Sequence, residues 1–162
     1  MIVNHYLPHV LVLPEDDANS RLATGFQLEI ADSPRYRQMR VLRVGGGWRK
    51  LLEQFNRNEV PGMDRWPDRF VVLLIDFDGE QDRLDTAKAE IPDRLAERVF
   101  VVGALTEPED LRKARLGSYE AIGSGLARDC REETDITWCH PLLRHNADEL
   151  DRMREHVRPI LF

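Results

Sequence analysis

Residues 70–75 (FVVLLI) are the most apolar stretch of the chain and show no apolar–polar alternation. A strand with that pattern must be covered on both faces, which puts it at the centre of a parallel sheet with helices on either side. The run passes directly into Asp76-Phe77-Asp78-Gly79, so two carboxylates stand at the mouth of the central strand.

The rest of the chain supplies the partners that such a strand needs. His9 to Pro14 (HVLVLP) is a short β-branched run ended by proline, and it reads as a second buried strand. Residues 17–30 place Ala18, Leu22, Phe26 and Ile30 at four-residue steps, one face of a helix with Asp16 or Asp17 as N-cap. Residues 39–44 (MRVLRV) alternate apolar residues with arginine and predict an edge strand with one wet face. Gly45-Gly46-Gly47 then turns the chain into a helix whose Trp48, Leu51, Leu52 and Phe55 share one side. Pro61-Gly62 and Trp66-Pro67 predict a loop over residues 57–68. After the central strand come a polar helical stretch over 81–97, interrupted near Pro92, and a fourth strand, Val99 to Val102. Glu107-Pro108-Glu109-Asp110 has the proline and acids of a helix start. Residues 117–130 and 147–157 predict two further helices.

Strands alternating with helices imply an α/β fold, a four-stranded, mainly parallel sheet of Rossmann-like type flanked by helices. The 162 residues are the size of one domain, read as an α/β core over 1–115 with a helical C-terminal tail over 116–162. The formal net charge is −6, so the strongly basic balance of a passive nucleic-acid binder is missing, although an acidic metal site and local basic patches can coexist in an enzyme. No apolar run reaches the ~20 residues that cross a bilayer, and the first residues lack the features of a secretion signal, so the expected setting is the cytoplasm with no membrane partner. Cys130 and Cys139 have no Cys-x-x-Cys spacing and are expected to be buried structural thiols.

In an open parallel sheet, ligands bind beyond the carboxyl ends of the strands. Three strands here end near acids: Glu15-Asp16-Asp17, Asp76-Phe77-Asp78 and, after a short loop, Glu107 and Glu109. If the first and third strands are neighbours, Glu15 converges with Asp76 and Asp78. Crowded carboxylates repel, and an all-oxygen cluster is suited to Mg²⁺, Mn²⁺ or Ca²⁺. Asp16 and Asp17 have the competing reading of helix caps. Arg40, Arg43, Arg49 and Lys50 flank the glycine turn. The amides of Gly46 and Gly47, with Arg49 and Lys50, are candidates for binding phosphate, the alternative being that the glycines only permit a tight turn. His140 and His145, beside Arg144, are candidates for proton transfer, surface placement being the commoner role.

The order of these pieces resembles the TOPRIM family of topoisomerases, bacterial primases and OLD-type nucleases. The matching segments are VLVLPED with Glu15, VLRVGGGWRKLL, VVLLIDFDGE with Asp76 and Asp78, and VFVVGALTEPEDL with Glu107 and Glu109, over roughly residues 9–115. The resemblance implies a Mg²⁺- or Mn²⁺-dependent nuclease acting on nucleic acid, DNA ahead of RNA. Asp76 and Asp78 would be metal ligands and Glu15 a second ligand or general acid/base. Asp82 or Asp85, and Glu107 or Glu109, would be supporting acids. Two cations bridging a scissile phosphate would activate water and stabilise the leaving oxygen. Many members have glycine after the first Glu where this chain has Asp16, and place their glycine later than Gly79. Those departures argue against a topoisomerase or a primase. The family also includes pieces of larger bacterial assemblies. That suggests a non-catalytic interaction subunit as the alternative, with Trp138 and Leu142-Leu143 as a docking surface for a partner protein, or else packed in the ordinary way against the sheet; a homo-oligomer is a further expectation. A receiver-like phospho-acceptor domain, with Asp16, Asp17, Asp76 and Thr106 in its acidic pocket, is the third reading; it needs a fifth strand and a following lysine.

Overall fold

A computed structural model describes residues 2–162. Four strands form one parallel sheet: β1 (His9–Pro14), β2 (Met39–Val41), β3 (Arg69–Leu74) and β4 (Val99–Val102), in the order β2-β1-β3-β4. The chain runs from β1 outward to β2, then crosses back over β1 to β3 on its other side. The strand order therefore reverses between β1 and β3, and in open α/β sheets the carboxyl ends at such a switch point are where ligands bind. The register is continuous from His9↔Arg69 to Pro14↔Leu74, so the residues that follow, Glu15 and Ile75-Asp76, leave the sheet side by side.

The apolar runs of β1, β3 and β4 face two cores. On one face, Val10, Val12, Val72, Phe100 and Val102 pack against α1 (Asp17–Leu28), α6 (Tyr119–Glu132), α7 (Ala147–His156) and α8 (Arg158–Leu161). On the other, Leu11, Leu13, Val71, Leu73, Ile75, Val99 and Val101 meet α2 (Trp48–Gln54), α3 (Val60–Arg65) and α4 (Arg83–Ala89). A short α5 (Pro108–Lys113) follows β4, with the expected proline at its start.

Several expectations need correction, among them the strand predicted over 39–44, which ends at Val41. The predicted loop over 57–68 is mostly helix: a π turn, Phe55–Glu59, carries the chain from α2 directly into α3. Pro61 sits in the first turn of α3, just where the π turn has already shifted the i→i−4 ladder that its missing N–H would have joined. Gly62 leaves the room that the Arg69 guanidinium occupies. The segment after residue 116 is no tail; it supplies one wall of the larger core, including Ile122, Leu126, Leu150, Met153 and Val157. Trp138 and Leu143 are buried in that wall, and the Trp138 indole N–H donates to the Leu126 carbonyl at 3.1 Å, so they form no docking surface. Of the two cysteines, Cys130 is buried as expected and Cys139 is exposed.

The β4 edge is sealed by side chains. Asn146 pairs with both the N–H and the C=O of Gly103, Glu149 accepts the Val101 N–H at 2.8 Å, and Arg152 donates to the Val99 carbonyl. Spaced three residues apart at the start of α7, these groups take the place of a neighbouring strand and close a row of backbone groups that would otherwise invite pairing.

Candidate functional site

The site grows from two backbone continuations. The Glu15 N–H donates to the Leu74 carbonyl, and the Asp76 N–H donates to Glu15 Oε2 at 2.6 Å. The register thus brings Glu15 and Asp76 together at the switch point between β1 and β3, as expected from the sequence. Beyond them, Phe77, Asp78 and Gly79 pair through their N–H groups with the carbonyls of Ala104, Thr106 and Leu105. Asp78 and Gly79 both have positive φ, 49° and 71°. Asp tolerates the left-handed region better than most residues, and the turn it makes swings the chain away from Asp76.

Asp76 lies on the same face of β3 as Val72 and is 7 % exposed. Its Oδ1 accepts from Asn19 Nδ2 at 2.8 Å. Asn19 is fully buried, and its Nδ2 also donates to Asp16 Oδ1 at 3.0 Å, so one amide spans two acids. Asp16 is the N-cap of α1, accepting the Asn19 N–H at 2.9 Å, which settles the choice between Asp16 and Asp17. Asn19 Oδ1 is buried with no hydrogen-bond partner among the described residues.

Burial pushes the Asp76 carboxyl up to about 7; the Asn19 hydrogen bond opposes this, and the negative charges of Glu15, Asp16 and Asp78 add to it. Burial likewise raises Glu15, against the hydrogen bond from Asp76, with Asp16 contributing. Two adjacent carboxyls with raised proton affinity, at the switch point of a parallel sheet, are the pattern of a functional site.

Asp78 belongs to a different arrangement. Its Oδ2 pairs with Arg83 Nη1 at 2.8 Å. Arg83 is 6 % exposed and also donates to the Asp76 carbonyl at 2.7 Å and to Glu80 Oε2 at 3.2 Å. Its guanidinium lies over the Trp48 ring, 4.8 Å from the centroid, and Arg49 lies 4.4 Å from the same ring. Trp48 opens α2 directly after the glycine turn. Arg83 and Asn19 had no marking signal in the sequence: an Asn in the first turn of a helix and an Arg five residues after an Asp are both ordinary.

The glycine turn does not present free amides. The N–H of Gly46 donates to the Glu15 carbonyl at 2.9 Å and that of Gly47 points to the same oxygen at 3.4 Å, while Gly45 bonds Pro14. Gly46 and Gly47 have φ of 78° and 120°, values that require glycine. The turn clamps the end of β1, and what it offers a phosphate is the exposed side chains of Arg49 and Lys50. Glu107 caps α5 from an exposed position and Glu109 stands half-buried in its first turn; neither carboxylate takes a hydrogen bond among the described residues. Thr106 donates to Asp110 at 2.6 Å instead. Neither His140 nor His145 reaches the acids: the His145 ring packs edge-on against Phe77. Among the described residues, no three His, Cys, Asp or Glu side chains are grouped to hold a metal ion.

No protein-family model, no curated protein and no solved structure matches this chain. The sheet order and the acids themselves carry the functional reading. No described helix is long and apolar enough to cross a membrane. The fifth strand that a receiver-like domain needs is not among the described strands, and Lys113 lies beside Asp110 rather than Asp76.

Proposed function

We propose that this protein is a Mg²⁺-dependent phosphodiesterase acting on nucleic acid, of TOPRIM-like type, with Glu15 and Asp76 as its central acids. The observation that carries the reading is their pairing at the switch point with no basic side chain on either carboxylate; the nearby Arg83 takes Asp78 instead. Glu15 Oε1 and Asp76 Oδ2 have no donor among the described residues, and Asn19 Oδ1 beside them is an orphaned buried oxygen. These are hard oxygen donors. Mg²⁺ is commonly held by one or two carboxylates and keeps several waters, so Glu15 and Asp76 fit a single ion. When bound, the ion would supply Lewis-acid polarisation of the phosphate and lower the proton affinity of a water.

The chain's own groups supply the rest. The Asp76 N–H fixes Glu15 Oε2, which orients its free oxygen. Asn19 holds Asp76 in one rotamer. Arg49 and Lys50 stand at the rim with exposed charge to follow a phosphate backbone. In hydrolysis, a water oxygen forms the new bond to phosphorus, the bond to the leaving oxygen breaks, and the proton released by the water ends on that oxygen.

A non-catalytic interaction subunit is the second reading. It draws support from two observations: Arg83 neutralises Asp78 from within the fold, and the Gly46 and Gly47 amides are used inside it. Incubation of the full chain with supercoiled plasmid and with single-stranded RNA, in Mg²⁺ or Mn²⁺, separates the two. The nuclease reading expects nicking that Glu15→Gln and Asp76→Asn each reduce by about a hundredfold or more. Absence of cleavage of either polymer by the wild type in both metals would favour the interaction subunit.

A further inference from the structure

The hydrogen bonds of Arg83 define a cage. Its two terminal nitrogens meet three oxygens from alternate residues of one turn: the Asp76 carbonyl at 2.7 Å, Asp78 Oδ2 at 2.8 Å and Glu80 Oε2 at 3.2 Å. A carbonyl and two carboxylates in this arrangement are a donor set for a hard divalent ion. Arg83 fills it with a positive charge that is anchored in α4. The guanidinium is nine-tenths buried, its Nε is also buried with no hydrogen-bond partner, and the Trp48 ring covers it. The cage is separate from the free oxygens of Glu15 and Asp76. The left-handed turn at Asp78 and Gly79 directs the Asp78 side chain to Arg83.

We infer that Arg83 is a tethered cation seated in the second cation position of this site, so that the protein holds one divalent ion where two-metal phosphodiesterases hold two. Arg83 is then a positioning residue. It holds Asp78 and Glu80 away from the ion at Glu15 and Asp76, and it contributes a fixed positive charge beside the bound phosphate. Unlike a metal ion, it cannot be removed by a chelator. The one-ion count rests on the proposed Mg²⁺ reading; the occupation of the cage by Arg83 stands apart from it.

The test is calorimetric titration of the full chain with Mg²⁺ and with Mn²⁺, comparing wild type, Arg83→Gln and Arg83→Lys. The expected result is about one ion per wild-type chain, a second ion in Arg83→Gln, and no second ion in Arg83→Lys, where the charge is kept. Asp78→Asn, at a half-exposed side chain that does not threaten folding, is expected to leave the affinity of the wild-type ion within about threefold. Removal of a true ligand would weaken it more than the ten- to hundredfold, roughly, that loss of a ligand's supporting partner causes. A wild type that binds two ions, an Arg83→Gln that gains none, or a tenfold loss in Asp78→Asn would each overturn the inference. If the wild type binds no ion and Arg83→Gln binds one, the inference holds and the proposed Mg²⁺ site falls. If both bind one ion, the Mg²⁺ site holds and the inference falls. If neither binds, both fall.

Discussion

Three buried carboxylates in this molecule meet two opposite fates. Glu149 is 3 % exposed and Asp129 is 2 % exposed, as deeply buried as Asp76. Burial pushes Glu149 up, but Lys88, the Val101 N–H and Arg152 more than offset it and hold the carboxyl below its usual range. The same holds for Asp129, where the Thr134 hydroxyl and the N–H groups of Thr137, Trp138 and Ile136 outweigh burial. Asp76 receives a single hydrogen bond from Asn19 and is surrounded by other acids, and its proton affinity rises. Burial alone therefore does not mark a functional acid. The mark is burial without the donors that a structural carboxylate collects.

Substitutions at these acids are expected to differ in the sign of their effect on stability. The largest losses are expected at Glu149 and Asp129. Glu149→Ala would leave the buried edge N–H of Val101 without its acceptor and take from Lys88 and Arg152 their shared partner, with a cost of about 3 kcal/mol in urea unfolding. Asp129→Ala should cost about 3 kcal/mol, because it leaves the N–H groups of residues 136–138 without their acceptor.

Asp76→Asn should go the other way. An unfolded Asp ionises near 3.8 and the folded one near about 7, so between these values the folded chain holds an extra proton. The stability contributed by the neutral form is complete below the unfolded value and is lost as pH rises through the folded one. The variant should therefore be more stable than wild type by about 2 kcal/mol above neutrality, with the difference vanishing toward acid pH, as read by unfolding at several pH values. A variant less stable than wild type under alkaline conditions would place Asp76 with the structural acids. The smallest effect sharpens the same contrast. Mg²⁺ at about ten times its Kd should stabilise wild type by about 1.4 kcal/mol and leave Asp76→Asn unchanged, as read by the shift in thermal midpoint.

How far the sequence revealed this arrangement depends on where each signal resides. β1, β3 and β4 were legible because an apolar run without alternation has few other uses, and the meeting of Glu15 with Asp76 followed from the expected adjacency of their strands. The π turn and α3 were not, because Pro61-Gly62 reads as a breaker when only local propensity is weighed. In the fold, Pro61 falls in a first turn and Gly62 makes room for Arg69, a residue distant in sequence. For Trp138 the sequence offered both packing against the sheet and a docking surface, and only tertiary packing, which brings Leu126 and the sheet face to it, decides for the first. Within the site, the carboxylates were visible and their counter-charges were not. Nothing local distinguishes Arg83 from the other arginines, and nothing in a run of glycines tells whether their amides face a phosphate or, as here, the Glu15 carbonyl.

The titration of Asp76 itself asks most directly whether this under-satisfied carboxylate binds the proposed cation. Carboxyl carbon shifts of Asp76, Asp129 and Glu149 would be followed by NMR against pH, with and without saturating Mg²⁺. The expected result is that Asp76 titrates near about 7 in the free protein and at least about one pH unit lower with Mg²⁺, while Asp129 and Glu149 stay below the usual carboxylate range in both. An Asp76 that titrates as an ordinary aspartate and ignores Mg²⁺ would contradict the account.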